Sequence, residues 1–483
     1  MNWNFITMSD LFNGKGKRKL MLAGNWGLEK ESQRVTPLGD LALTDHPSSF
    51  GDKLENPYIT TDFSESQLEL ITPPFKSIEE TYESLKKLQL EAEKGINDEL
   101  LWPLSMPPRL PDEDKIPIAK FNSAGKEKEI YRNGLALRYG KKMQMISGIH
   151  YNFSFSDEMI DLLYERLSKG MERQHFVNWV YFALIRNYLR YRWLLIYLFG
   201  ASPVIDPTYY PVIYKELKLV SKCCPECCNV IDKYEQYSTS LRVSRFGYSS
   251  TNQGRYNIYY TSMEEYIKGL DRLLAMKSKK YIKLGVYKDG IQIQLNENIL
   301  QKESEFYSSI RPKQILEKGE TQLEALRKRG VKYLEVRILD LNPFEKVGIS
   351  IEQLYFLQVF MLFCLFEESK PITKIEYEKI NKNHHLAALC GRKPRLKLYK
   401  YDNGTAALKE WGNEIFDKLK RIAELMDQST SGSKYLKCVA NEYQKLTNPE
   451  LLPSSLILME MKENNETYLD FGVRRATMNK QSK

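Results

Sequence analysis

The sequence predicts an α+β protein built on a largely antiparallel sheet, and three observations predict it. Short stretches alternating polar and apolar residues, bounded by Gly, Pro and Asn, are scattered through the first 345 residues instead of being grouped into βαβ units. Helical periodicity dominates 77–97, 157–200, 263–276, 351–366 and 405–426. From about residue 350 the pattern is mainly helical, and the last hundred residues carry no polar-faced strand.

The chain has 483 residues, 42% of them hydrophobic and 28% charged, with no biased tract. That composition suits a buried core and excludes disorder, collagen and small disulfide scaffolds. Residues 1–24 carry no apolar stretch before a small-residue cleavage site, so a cytoplasmic protein is expected. Two apolar stretches invite a membrane reading. Tyr181–Gly200 contains Arg186, Arg190 and Arg192, each costly at mid-bilayer, and Leu354–Phe366 is too short to span. Both read as buried helices. Four of the seven cysteines lie in Cys223-Cys224-Pro225-Glu226-Cys227-Cys228, with no second knuckle to complete a zinc site, so a reduced cysteine-rich loop is expected. The net charge of +9 is spread along the chain without the stripe or module of a nucleic-acid protein.

The strand-like stretches carry the chemistry. Extended backbone puts residues two apart on one face. Glu29 and Glu31 then share a face, as do Gln67 and Glu69. His150, Asn152 and Ser154 lie opposite Ile149, Tyr151, Phe153 and Phe155. Gln292, Gln294 and Asn296 form a further polar row, and Glu335 and Arg337 lie opposite Leu334, Val336 and Ile338. A solvated outer face also alternates, but it favours Lys and Thr. These rows hold carboxylates, amides and a histidine, so they are expected to line one cleft together with the Thr60-Thr61-Asp62-Phe63 corner. Gathered carboxylates raise one another's pKa values or require a compensating cation, and hard oxygen donors suit Mg²⁺ or Mn²⁺ better than zinc. Such a site implies a phosphate substrate, usually ATP. No Walker loop, dinucleotide fingerprint or G-x-S-x-G elbow occurs. His384-His385, in a helical and basic setting, reads as a surface or capping pair.

The residues singled out resemble a known family. Gly27–Val35, Ile59–Glu65 with Leu68–Pro73, Trp102–Pro107, Tyr131–Leu135, Ile146–Ser154 and Ile185–Tyr188 look like bacterial glutamate–cysteine ligase. So do Tyr197–Pro203, Thr239–Arg242, Ile310–Lys313, Tyr333–Arg337, Asp340–Phe344 and, more weakly, Gly391–Pro394. The matches are collinear and close to the proteobacterial type. The resemblance implies a glutamine-synthetase-like fold: a curved, mainly antiparallel funnel of β-sheet with helices packed outside, as one catalytic domain over 1–483. It implies ATP-dependent joining of the L-glutamate γ-carboxylate to the amine of L-cysteine through a γ-glutamyl phosphate, the first step of glutathione biosynthesis.

By the same resemblance, Glu29, Glu31, Asp62, Glu69, His150 and Glu335 would hold magnesium, and Arg337 beside Glu335 would stabilise the transferred phosphate. For cysteine it points to Arg242, Tyr248 and Tyr307, with Gln144 and Arg132 among the substrate-binding residues and Leu135 and Ile146 as a small apolar slot. Glutathione is implied as a feedback inhibitor, and a monomer is expected. The cysteine cluster departs from the family pattern, and the match is loose beyond Pro394. No ATP-grasp pattern follows, so a fused enzyme that also adds glycine is not expected. Every matched metal-ligand position is filled, which speaks against an inactive homologue. Two rivals are a ligase of the same fold serving another amine and a noncatalytic nucleotide- or RNA-binding protein.

Overall fold

In the computed structural model, described for residues 3–214, 234–247, 256, 258–401 and 404–482, one antiparallel sheet organises the chain. Its strands are β1 (Gly24–Val35), β2 (Ile59–Thr61), β3 (Gln67–Ile71), β4 (Leu100–Leu101) and β5 (Ile149–Phe155). Two hairpin strands, β6 (Tyr287–Lys288) and β7 (Ile291–Gln292), stand outside it, and β8 (Ile310–Lys313) and β9 (Tyr333–Leu339) complete it. The order is β2-β3-β1-β5-β9-β8, with β4 pairing the end of β1. The sheet is open and every pairing is antiparallel, so the fold is α+β as expected.

Alternation assigns the two faces. Trp26, Leu28, Tyr151, Phe153, Leu334 and Val336 are buried in one apolar cluster with the helices Ile78–Gly95, Arg173–Phe199 and Ile351–Phe366. Helix starts obey local chemistry. Ser77, Ser262 and Ser350 each accept the backbone N–H three residues on, capping Ile78–Gly95, Met263–Ala275 and Ile351–Phe366. The stretch 157–200 divides into Asp157–Leu167 and Arg173–Phe199 because Lys169 and Gly170 take positive φ between them.

The two membrane-like stretches lie inside the protein, and among the described residues no helix is long and apolar enough to cross a membrane. The buried arginines of Arg173–Phe199 find polar partners there. Arg186 donates to the carbonyls of Tyr260 and Thr261, Arg190 pairs with Glu376 at 2.6 Å, and Arg192 donates to Ser309 and Asn381.

Three features depart from the pattern reading. The polar row at 291–296 is not a strand of the main sheet: only Ile291 and Gln292 are extended, and Gln294 is fully buried, bonding the carbonyls of Tyr281 and Gly285. A hairpin, β10 (Lys397–Tyr399) with β11 (Thr405–Ala407), interrupts the helical C-terminal region. Lys30 lies on the core face of β1, 3% exposed, where burial lowers its ammonium to about 8. It donates to Gln89 at 2.6 Å, and Gln89 donates to Glu93 at 2.8 Å.

Glu79 ties the helix Ile78–Gly95 to the C-terminal helices, accepting from Tyr355 and Lys434 at 2.6 Å each. Burial alone would raise its carboxyl, but those bonds hold it at about 2. A depressed carboxylate stabilises the fold fully above its ordinary value of about 4.5, and that contribution is lost as pH falls toward 2. Urea midpoints of wild type and Glu79→Gln should therefore differ by a constant amount above about pH 5 and converge as pH drops toward 2. A gap that stays constant down to pH 2 would contradict this coupling.

Candidate active site

Strand register gathers the acidic residues. Glu31 pairs with Glu69 across β1 and β3, Glu29 with His150 across β1 and β5, and Asn152 with Glu335 across β5 and β9. Side chains opposite one another project from the same face. Two clusters result, each with its ligand atoms within 4.8 Å of one another: Glu29, His150 and Glu335, and Glu31, Glu69 and His150. His150 Nδ1 lies 2.9 Å from Glu29 and 3.5 Å from Glu335, while Nε2 faces Glu31 at 3.7 Å. Asn152 donates to the second oxygen of Glu29 at 2.9 Å, and the Gly148 N–H donates to Glu31 at 3.0 Å. Asp62 is in electrostatic reach of Glu31 and Glu69 but belongs to neither cluster.

The charge on this face is asymmetric. On the β8–β9 side, burial alone would raise Glu335, but Lys313, Arg337, Arg311 and His150 outweigh it and hold the carboxyl well below its usual range. Lys313 Nζ is 3.6 Å from Glu335, and Arg337 bonds its other oxygen. On the β1–β3 side no such balance exists. Burial and the neighbouring Asp62 lift Glu31 to about 7 even against His150, Arg242 and Arg337. Burial with Glu29, Asp62 and Glu31 pushes Glu69 well above the carboxylate range, against Arg132. A donor set of carboxylate oxygens with one imidazole and no thiolate fits a hard divalent ion such as Mg²⁺.

Beyond the acidic face lies a second group of expected residues. Arg242 is 4% exposed, in the segment 238–247. One guanidinium nitrogen donates to the Arg337 carbonyl at 3.1 Å, and another is 3.8 Å from Asp340. Its Nε and Nη1 have no hydrogen-bond partner among the described residues, so a buried guanidinium presents unmet donors at the edge of the cluster. Gly148 is required here because a Cβ would overlap that guanidinium. Gln144 donates to the Tyr307 hydroxyl at 3.2 Å. Leu135 and Ile146 are buried in one apolar cluster that also holds Leu241. Arg132 donates to the carbonyls of Thr61 and Asp62, clamping the edge at β2. Tyr248 and the cysteine cluster at 223–228 lie outside the described residues.

The His384-His385 pair is not a surface feature. Both rings are half-buried, and burial lowers both, His385 to about 3. His384 Nε2 bonds the Val243 carbonyl at 2.7 Å, so it anchors the segment that carries Arg242. Sequence reasoning assigned no role to Arg311 or Lys313, and it placed Asn152 on the cleft face without naming Glu29 as its partner. The signal was present, since Arg311 and Lys313 alternate on β8 and Asn152 lies two residues from His150. The face as a whole can hold cations and polyphosphate side by side: acidic residues at its centre, guanidinium and ammonium groups along one flank.

Comparison with known proteins identifies the family. A model of the glutamate–cysteine ligase family matches residues 10–387. The glutamate–cysteine ligase of Clostridium acetobutylicum is 57% identical over 479 residues, covering 99% of this chain and 100% of that protein. The C-terminal helices are therefore shared with that relative. The enzyme of the same name from Pseudomonas entomophila is 39% identical, over 98% of this chain and 88% of its own. A glutamate–cysteine ligase from Francisella tularensis solved in complex with AMP superposes with a TM-score of 0.84 at 36% identity, covering 95% and 88% of the two chains. A bifunctional glutathione synthetase from Pasteurella multocida gives a TM-score of 0.77 at 29% identity, over 99% of this chain and 54% of that one. With the family pattern running through most of the sequence and a relative aligned over nearly its whole length, the protein belongs to the glutamate–cysteine ligase family.

Proposed function

We propose that this protein joins the γ-carboxylate of L-glutamate to the amine of L-cysteine at the expense of ATP, giving γ-glutamylcysteine, ADP and phosphate. The observation that carries the reading is the facing of two carboxylate–imidazole clusters by Lys313, Arg311 and Arg337 on one open sheet face. Phosphoryl transfer between two anions needs charge neutralisation and alignment more than a protein nucleophile. The AMP complex of the Francisella relative supports an adenine nucleotide as co-substrate.

Glu29, Glu31, Glu69, His150 and Glu335 would hold Mg²⁺, or Mn²⁺, with Asp62 adding negative charge beside them. When bound, the metal would neutralise phosphate charge and draw the anionic partners together. Arg337, braced by Glu335, aims a guanidinium at the transferring phosphoryl group, and Arg311 and Lys313 extend the positive flank. In the first step a γ-carboxylate oxygen of glutamate attacks the γ-phosphorus, and the bond to ADP breaks. In the second, the cysteine amine attacks the acyl carbon, loses a proton, and phosphate leaves. Arg242 would take the cysteine carboxylate with its unmet donors, Tyr307 and Gln144 would flank it, and Leu135 and Ile146 would form the thiol slot. Tyr248 and Arg132 complete the substrate residues of this reading. The same reading makes the protein a cytoplasmic monomer whose product-derived tripeptide, glutathione, competes with glutamate.

The direct test is ADP release from Mg-ATP and glutamate, with and without cysteine, and the product identified by mass. Cysteine-dependent release yielding γ-glutamylcysteine supports the reading, and excess glutamate should relieve inhibition by glutathione. Turnover with glutamate but without preference for cysteine would point to another amine. Salt-sensitive polynucleotide binding without turnover would overturn the enzyme reading altogether.

Glu69→Gln and Glu335→Gln should each cut turnover by roughly 10²-fold or more while the far-UV spectrum is unchanged. Near-wild-type rates at saturating Mg²⁺ would remove those residues from the cation site. Arg242→Ala should raise the cysteine KM by roughly 10–100-fold, the loss of a buried charge-assisted contact. An unaltered cysteine KM would refute its role. Because burial and acidic neighbours raise Glu31 to about 7 and push Glu69 well above the usual carboxylate range, a cation must displace protons to bind. Mg²⁺ affinity measured by calorimetry should weaken by about tenfold for each proton displaced per pH unit below about 7, with protons released on binding. Affinity that is flat from pH 6 to 8 would contradict the raised carboxyls.

A further inference from the structure

We propose that the buried ion pair between Arg138 and Glu305 is a positioning pair, holding the amino-acid side of the site in register with its phosphate side. It thereby decides how much activated glutamate reaches the amine instead of water. The inference rests on the reaction proposed above.

Arg138 ends the helix Lys126–Tyr139, whose earlier turns carry Arg132 and Leu135. Its side chain and that of Glu305 are both 0% exposed, with Nη1 3.0 Å from Glu305 Oε1. The remaining donors go to one folded stretch of chain. Nε and Nη2 bond the Gln294 side-chain oxygen at 3.0 and 2.9 Å, Nη2 bonds the Asn296 carbonyl at 2.6 Å, and Nη1 reaches the Asn298 carbonyl at 3.1 Å. The guanidinium also stacks on Tyr281, 4.1 Å from its centroid. This is the polar row at 291–296 that resembles a strand in the sequence, and one arginine gathers it.

Glu305 fixes the neighbouring turn. It accepts from the Tyr139 hydroxyl at 2.6 Å and from the Gln301 N–H. Gln301 in turn donates to the Tyr131 carbonyl and packs so closely on Gly134 that a methyl there would overlap it. Two residues beyond Glu305 stands Tyr307, which accepts from Gln144 and lies edge-on to Tyr139 at 5.7 Å. On its other side, the carbonyls of Ser304 and Phe306 each accept from Arg311 at 2.7 Å. A single buried pair thus holds the turn from which Tyr307 reaches toward the cysteine side and against which Arg311 is braced on the phosphate side. Neither Arg138 nor Glu305 belongs to the acidic clusters. A buried guanidinium with all its donors engaged is a rigid anchor that lysine reproduces only in charge.

If the turn shifts, glutamate can still be phosphorylated while the amine is misplaced. Water then adds to the acyl carbon, the carbon–oxygen bond to phosphate breaks, and glutamate and phosphate return with ATP already spent and ADP released. The readout is the ratio of ADP to γ-glutamylcysteine together with the separate KM values. For Arg138→Met the cysteine KM should rise by about tenfold or more and the ratio exceed one, with the ATP KM little changed. Glu305→Gln should shift both in the same direction, and Arg138→Lys should recover part of the coupling. The two conservative variants decide the matter if Arg138→Met does not fold. A ratio of one with unaltered cysteine KM in a folded variant overturns the proposal, as does an equal loss for all three substrates. Wild-type protein that forms no γ-glutamylcysteine would instead refute the proposed reaction, a result read before any variant is made.

Discussion

Antiparallel pairing forces Glu31 opposite Glu69 and Glu29 beside His150, and the chain must then find positive charge for what that register concentrates. Like charges a few ångströms apart in a buried face cannot all ionise unless something offsets them. On one flank the protein supplies the offset itself, with Lys313, Arg311 and Arg337 around Glu335. On the other it leaves Glu31 and Glu69 short, and burial with their acidic neighbours raises both carboxyls. That uneven balance would let one face bind cations and anions together. A fully neutralised face would attract neither.

The rest of the architecture keeps this arrangement rigid. The apolar side of the same strands is packed against long buried helices, so the register cannot slip without exposing Tyr151, Phe153 and Leu334. Where β1 departs from that rule, at Lys30, the buried Gln89 amide receives the ammonium and in turn donates to the Glu93 carboxylate. Arg242 is held from the opposite direction. Ser240 and Ser202 bond Asp340, and the helix Lys374–Cys390 supplies His384 and the carbonyl partners of Thr239.

Much of this was legible in period-two alternation, because strand faces are a local property. Glu29 with Glu31, Gln67 with Glu69, His150 with Asn152 and Glu335 with Arg337 fall on the polar face as read. Two misreadings share one physical origin: polar residues bonded by partners distant in the sequence. Gln294 and Asn296 alternate like a strand because Arg138 collects one side chain and one carbonyl. His384 looks like a surface residue because the carbonyl it bonds, Val243, is 141 positions away in sequence. Sheet order and the break in pairing at Ile149–Tyr151 are equally nonlocal. There β9 fits two residues, Arg337 and Ile338, against His150 alone, and both Ile338 and Leu339 turn into the core.

His150 stands at the junction of both acidic clusters, with Nδ1 toward Glu29 and Glu335 and Nε2 toward Glu31. A neutral imidazole has a single lone pair available to a cation, and its other nitrogen carries a proton. With cations bound, the ring would therefore serve one cluster as a ligand and the other as a hydrogen-bond donor. Its tautomer would work as a selector: whichever ion took the nitrogen would leave its neighbour to be held by oxygen alone. Two ions seated here would be unequal in exchange rate and in metal preference, although the strands that hold them are built alike.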